Sequence, residues 1–134
     1  MSKRIWIGLI LILSGLAAGC GGGGPVAVQV DMSEFSFAPE TISAPAGAEI
    51  HLTLNNTGAL DHNFLLMNAG KEVSGSWSET NAVDAFFTQI QTPGGESITV
   101  TFTAPSQPGA YQFLCSVPAH LEQGMTGTFT VTQP

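Results

Sequence analysis

The chain has 134 residues, room for one domain rather than two, and carries ten acidic residues against three basic ones for a net charge of −7. Beyond residue 19, Lys71 is the only base and arginine is absent, which argues against a nucleic-acid partner and leaves any charged partner cationic. A hydrophobic fraction of 43% with eight phenylalanines argues against disorder, and two cysteines do not make a disulfide scaffold.

The N-terminus reads as an address. Met1–Arg4 is basic, and Ile5–Ala18 is an uncharged run ending in small residues. As a helix that run would reach about 21 Å, short of a bilayer core of about 30 Å, so it fits a signal peptide over 1–19 better than a membrane span. Leu16-Ala17-Ala18-Gly19-Cys20 resembles the bacterial lipobox, which implies that Cys20 becomes a lipidated N-terminus. Gly21-Gly22-Gly23-Gly24-Pro25 then forms a flexible leash, so residues 20–25 are anchor and tether and the folded domain covers 26–134. This places the domain outside the cytoplasm, held to a membrane by its anchor. Two other readings of Cys20 are a spare thiol in a secreted protein and a disulfide with Cys115.

From Val26 onward, period-two alternation dominates. Ala27–Met32 opens a strand, and Phe35–Pro39 continues extended, with Pro39 marking an edge or bend. In Ile50–Leu54 the apolar residues share one parity, leaving His51 and Thr53 facing solvent. Asn55–Gly58 is turn chemistry, and His62–Leu66 is the next strand. Ser78-Glu79-Thr80 is placed to cap a short helix through Ala82–Ile90. Trp77, Phe86 and Phe87 are expected to cover one end of the domain. Strands resume at Ile98–Phe102, Tyr111–Cys115 and Met125–Val131. Seven or eight short strands with loops between them predict an all-β, antiparallel sandwich.

Parity also says where the reactive side chains point. Cys115 shares the inward face of Tyr111 and Phe113, Met125 that of Phe129 and Val131, and His62 that of Phe64 and Leu66. The loop Cys115-Ser116-Val117-Pro118-Ala119-His120-Leu121-Glu122-Gln123-Gly124-Met125 adds a second imidazole with C-x4-H-x4-M spacing. Two His, one Cys and a weak Met are the ligand set of a blue-copper electron-transfer site. The thiolate supplies a covalent electron route, the imidazoles suit both oxidation states, and a long thioether imposes no square geometry. Gln123 is the other conceivable axial donor, while His51 reads as a solvated strand residue and Met32 and Met67 as packing.

These residues identify the chain as similar to the cupredoxins, the type 1 blue copper proteins of the plastocyanin/azurin group, and most of all to the auracyanins. Phe35-Ser36-Phe37-Ala38-Pro39-Glu40-Thr41-Ile42 and His62-Asn63-Phe64 resemble the family's first half, and Tyr111–Ser116 through His120 and Met125 its second. The resemblance implies a Greek-key cupredoxin sandwich holding one copper ion, with His62, Cys115, His120 and Met125 as ligands. It implies that Asn63 bonds toward Ser116 and holds the thiolate loop in place. Leu114 stands where plastocyanin has a tyrosine used in partner contact, so that surface is not carried over. The implied function is one-electron transfer between redox protein partners through an exposed edge of His120, ringed by Leu60, Pro118, Ala119 and Leu121. Such partners dock through a basic or apolar surface, and a monomer is expected. Copper delivery or storage with the same ligands is the alternative. A copper enzyme is disfavoured because only His51 remains for a further site, and a cysteine hydrolase because Cys115 points inward.

Overall fold

The computed structural model describes residues 23–134. Nine strands form two packed sheets: β1 (Val26–Ser33), β2 (Ser36–Ala38), β3 (Thr41–Pro45), β4 (Glu49–Asn56), β5 (His62–Met67), β6 (Ala85–Thr92), β7 (Ser97–Thr103), β8 (Gly109–Leu114) and β9 (Thr126–Thr132). One sheet runs β2-β1-β4-β7 and the other β3-β9-β8-β5-β6. The all-β sandwich is as expected, but the expectation of antiparallel sheets is corrected, since each sheet is mixed, and nine strands among the described residues stand where seven or eight were expected. The pairs β1–β4 and β3–β9 are parallel, the rest antiparallel. The chain crosses between sheets after β2, and this long connection lets β4 return beside β1 in the same direction, which alternation within a strand does not reveal.

The helix expected over Ala82–Ile90 is not there. A short 3-10 helix occupies Glu79–Asp84, and Ala85–Thr92 is a strand paired with β5. The Asn81 side chain accepts from the Ser78 backbone N–H at 2.9 Å, which caps one tight turn and no more. Beyond it, aromatic and β-branched residues take the ladder hydrogen bonds that β5 offers.

Both faces of β5 are covered. Phe64 and Leu66 enter the core between the sheets, with Val30, Met32, Ile50, Leu52, Leu54, Phe113 and Phe129. Leu65 and Met67 face outward into a second cluster with Val73, Leu114 and Leu121, against which Trp77 packs. Phe87 stacks on Phe102 at 4.5 Å on the inner side, and Phe86 is exposed. The three aromatics thus lie in different environments instead of covering one end together.

A cluster of rings closes the core beneath one pole: Phe64 stacks on Phe113 at 5.0 Å, and Phe37 meets Phe113 edge-on at 5.1 Å. Gly127 on β9 makes this possible, because a Cβ there would come within 2.5 Å of the Glu40 carbonyl oxygen and strike the Phe113 ring. Gly127→Ala should lower stability by about 1–3 kcal/mol through overpacking, read as a lower urea midpoint.

Candidate metal centre

The strand ends bring the reactive groups to that same pole. His62 opens β5, Cys115 follows the last residue of β8, and Met125 precedes β9. Because β5 and β9 both run antiparallel to β8, these three ends meet. The intervening loop folds back on itself: His120 N–H donates to Val117 O at 3.0 Å and Met125 N–H to His120 O at 3.0 Å. Ala119 takes a left-handed φ of 70° to allow the reversal. Cys115 N–H donates to Met125 O at 3.1 Å, so the backbones around the thiol, the second imidazole and the thioether form one unit.

Three ligand atoms converge. Nδ1 of His62 lies 3.1 Å from Nδ1 of His120, and Cys115 Sγ lies 4.0 and 3.5 Å from these two nitrogens. All three lie within 4.8 Å of one another and all three residues are buried. A metal bonded about 2 Å from each of three ligands in a plane separates them by about 3.5 Å, so the spacing suits one ion. Met125 is fully buried beside them, in the same cluster as Cys115. Nε2 of His62 is buried with no hydrogen-bond partner among the described residues.

Asn63 acts across the site. Its side-chain NH2 donates to Ser116 Oγ at 2.9 Å, and its carbonyl oxygen accepts from Ser116 N–H at 2.7 Å. This ties β5 to the first residue after the thiol.

The electrostatics favour neutral, metal-ready donors. Burial, reinforced by the neighbouring His120, holds His62 below the ordinary imidazole pKa, although Glu34 and Asp61 pull the other way. His120 is likewise lowered, mainly by burial. Burial pushes the Cys115 thiol up, against the hydrogen bonds from the backbones of Asn63 and Val117. Metal uptake at such a set releases the thiol proton and needs none removed from the imidazoles.

The other sequence expectations divide. His51 is exposed, 3.0 Å from Glu49, and Gln123 is exposed too, while Met32 and Met67 are buried packing residues. Cys20 and the signal peptide lie outside the described residues. The expected exposed edge of His120 is corrected: the residue is only 4% exposed. Phe35 sits edge-on to its ring with centroids 5.2 Å apart, and Leu121 turns into the second cluster instead of ringing the site. Leu60, Pro118 and Ala119 are exposed as expected. Sequence reading missed Glu34 and Phe35. Both lie in the turn between β1 and β2, where period-two alternation gives a side chain no direction.

The comparisons with known proteins agree with this geometry. Residues 25–132 match the copper binding proteins of the plastocyanin/azurin family, and the chain belongs to that family. It is similar to Auracyanin-B of Chloroflexus aurantiacus, 34% identical over 123 residues that cover 80% of this chain and 52% of the relative, so the chain spans about half that protein's length. The copper-resistant cuproprotein CopI of Rubrivivax gelatinosus is 26% identical over 110 residues, covering 78% of this chain and 65% of the relative. Among solved structures, the dithionite-reduced auracyanin of Roseiflexus castenholzii superposes with a TM-score of 0.68 at 27% identity, covering 82% of this chain and 99% of that one. This is a cupredoxin of auracyanin-like fold, and its buried His-Cys-His-Met set fits one type 1 copper.

Asn63→Ala removes both bonds to Ser116 and should destabilise the domain by about 1–3 kcal/mol, measured by denaturant unfolding of the copper-free protein. The same protein should show a stability plateau between two pH limits. As pH falls below 6.5 the unfolded chain protonates its imidazoles before the folded one does, so stability declines there. As pH rises above 9.0 the unfolded chain ionises its thiol first, and stability declines again. Urea midpoints measured across pH 5 to 10, about 1 unit apart, check both limbs.

Proposed function

We propose that this protein is a one-electron carrier in which His62, Cys115, His120 and Met125 would together hold a single copper. The observation that carries the reading is the convergence of two imidazole Nδ1 atoms and one thiol in a buried pocket. When bound, copper supplies a single electron by cycling between Cu(I) and Cu(II). The chain's own residues hold the donors in place through the Asn63–Ser116 bonds and the folded loop, and they exclude water. A donor set held this firmly changes little between oxidation states. The protein is not an enzyme on this reading, because no further cluster of His or Cys is present among the described residues to bind a second metal and a substrate.

Redox partners meet the pole near His120, where Leu60, Pro118 and Ala119 are exposed and Asp61 and Glu122 add negative charge. A small apolar patch with an acidic rim suits brief docking with a basic or apolar partner surface. The carrier works as a monomer outside the cytoplasm. Residues 1–19 are its lipoprotein signal peptide, Cys20 its lipid anchor and residues 20–25 its tether. No helix among the described residues is long and apolar enough to cross a membrane. Copper delivery or storage remains the second reading, favoured by the likeness to a copper-resistance protein. The full burial of His62 and Cys115 speaks against ready copper exchange.

Titration of residues 26–134 with Cu(II), followed by visible and paramagnetic-resonance spectra, tests the reading. An intense thiolate-to-copper band with narrow hyperfine splitting is expected, lost in Cys115→Ser and unchanged in His51→Ala. A colourless complex would overturn it.

A further inference from the structure

Glu34 and Phe35 make up the tight turn between β1 and β2. Met32 pairs with Asn56 in the β1–β4 ladder, so this turn stands at the same pole as the loop that leads from β4 into His62. The Glu34 carboxylate reaches across to that loop and accepts from Ala59 N–H at 2.6 Å and Leu60 N–H at 3.3 Å. Thr57 reinforces the junction, its backbone N–H and its hydroxyl both donating to Met32 O, at 2.8 and 3.1 Å. Gly58 leaves the space the carboxylate needs, because a Cβ there would come within 2.7 Å of Glu34 Oε1.

Phe35 is held in a conformation unusual for its type. Its φ is 63°, and among the described residues it shares a positive φ with Ala119 alone outside glycine. A bulky residue in the left-handed region is strained, and the strain persists only where the surroundings over-determine it. The result is that the Phe35 ring stands edge-on to His120, at an interplanar angle of 88°. The imidazole is left 4% exposed although both preceding loop residues, Pro118 and Ala119, face solvent.

We propose that Phe35, clamped by Glu34, is a fixed cover over His120 that keeps water, chelators and small ligands from the metal centre. Blocking ligand exchange at this point separates a carrier from a copper-delivery protein. The cover is a property of the copper-free chain as well, and only its consequence for copper rests on the ligand role proposed for His120.

The test starts with the copper-free full chain, treated with diethyl pyrocarbonate and read histidine by histidine by mass spectrometry. His51, exposed on β4, reports that the reagent is active, and His62, fully buried, reports that the fold is intact. In the wild type, His51 alone should react quickly. Phe35→Gly is suited to the backbone, since glycine adopts a φ of 63° without strain. It should raise the His120 reaction rate at least tenfold (roughly 1.4 kcal/mol or more of protection removed) and leave His62 slow. Phe35→Tyr should restore protection, and Gly58→Ala, which displaces the Glu34 carboxylate, should uncover His120 with Phe35 still present. Copper loss to excess chelator from the loaded protein should accelerate in the same order. An unchanged His120 rate in Phe35→Gly would overturn the cover, and so would equal acceleration at His62, which would mean that Phe35 only holds the fold. A wild type without a blue copper spectrum, but with His120 uncovered by Phe35→Gly, would sink the electron-carrier reading and leave the cover standing.

Discussion

One side chain joins the two halves of the site. Asn63 lies next to His62 on β5 and spans the gap to Ser116, next to Cys115, with a donor and an acceptor used at once. Without that link, His62 would belong to one strand and Cys115, His120 and Met125 to a loop with its own freedom. With it, the loop's internal bonds and the β5–β8 pairing share one frame. The bond to Asn63 Oδ1 also satisfies the Ser116 N–H at the point where the ladder ends, where a half-buried backbone group would otherwise go unpaired. The site is thus built on strand ends, the rigid part of the fold, and completed by a loop that is held at both its termini.

The same frame sets the electrostatics. Packing Phe64 and Phe113 directly beneath His62 and Cys115 removes water from the donors. Dry surroundings disfavour charge, so the imidazoles lose affinity for protons and the thiol keeps its own. A bound cation reverses the balance for the thiol alone, since a coordinating thiol is deprotonated outright. The acidic surface lies farther out. Among the carboxylates, Glu34 is turned to structural use, its pKa lowered by the backbone N–H groups of Ala59 and Leu60.

Above the site the structure adds a third layer. The β1–β2 turn comes from the opposite sheet to the ligands, and it closes over His120 only because β1 pairs parallel with β4 and ends where β4 ends. An antiparallel pairing would have carried Glu34 and Phe35 to the other pole. A detail of strand direction therefore decides what faces solvent at the functional end.

The amino-acid sequence by itself determined the sandwich, the inward parity of His62, Cys115 and Met125, and the C-x4-H-x4-M loop. These are local properties: a side chain's face follows from period two, and ligand type follows from residue type. The Asn63–Ser116 link came from the family resemblance and not from periodicity, and the structure shows both of its bonds. Only the tertiary structure decided that β1–β4 and β3–β9 run parallel, that Ala85–Thr92 is a strand, and that Phe35 covers His120. Each depends on a partner distant in the chain. Strand direction is set by which connection crosses between sheets, and residues 85–92 became a strand because β5 offered an unpaired edge. The burial of His120 came from a turn 85 residues upstream. Periodicity reports which face a residue prefers, while the neighbour on that face is chosen by the whole packed chain.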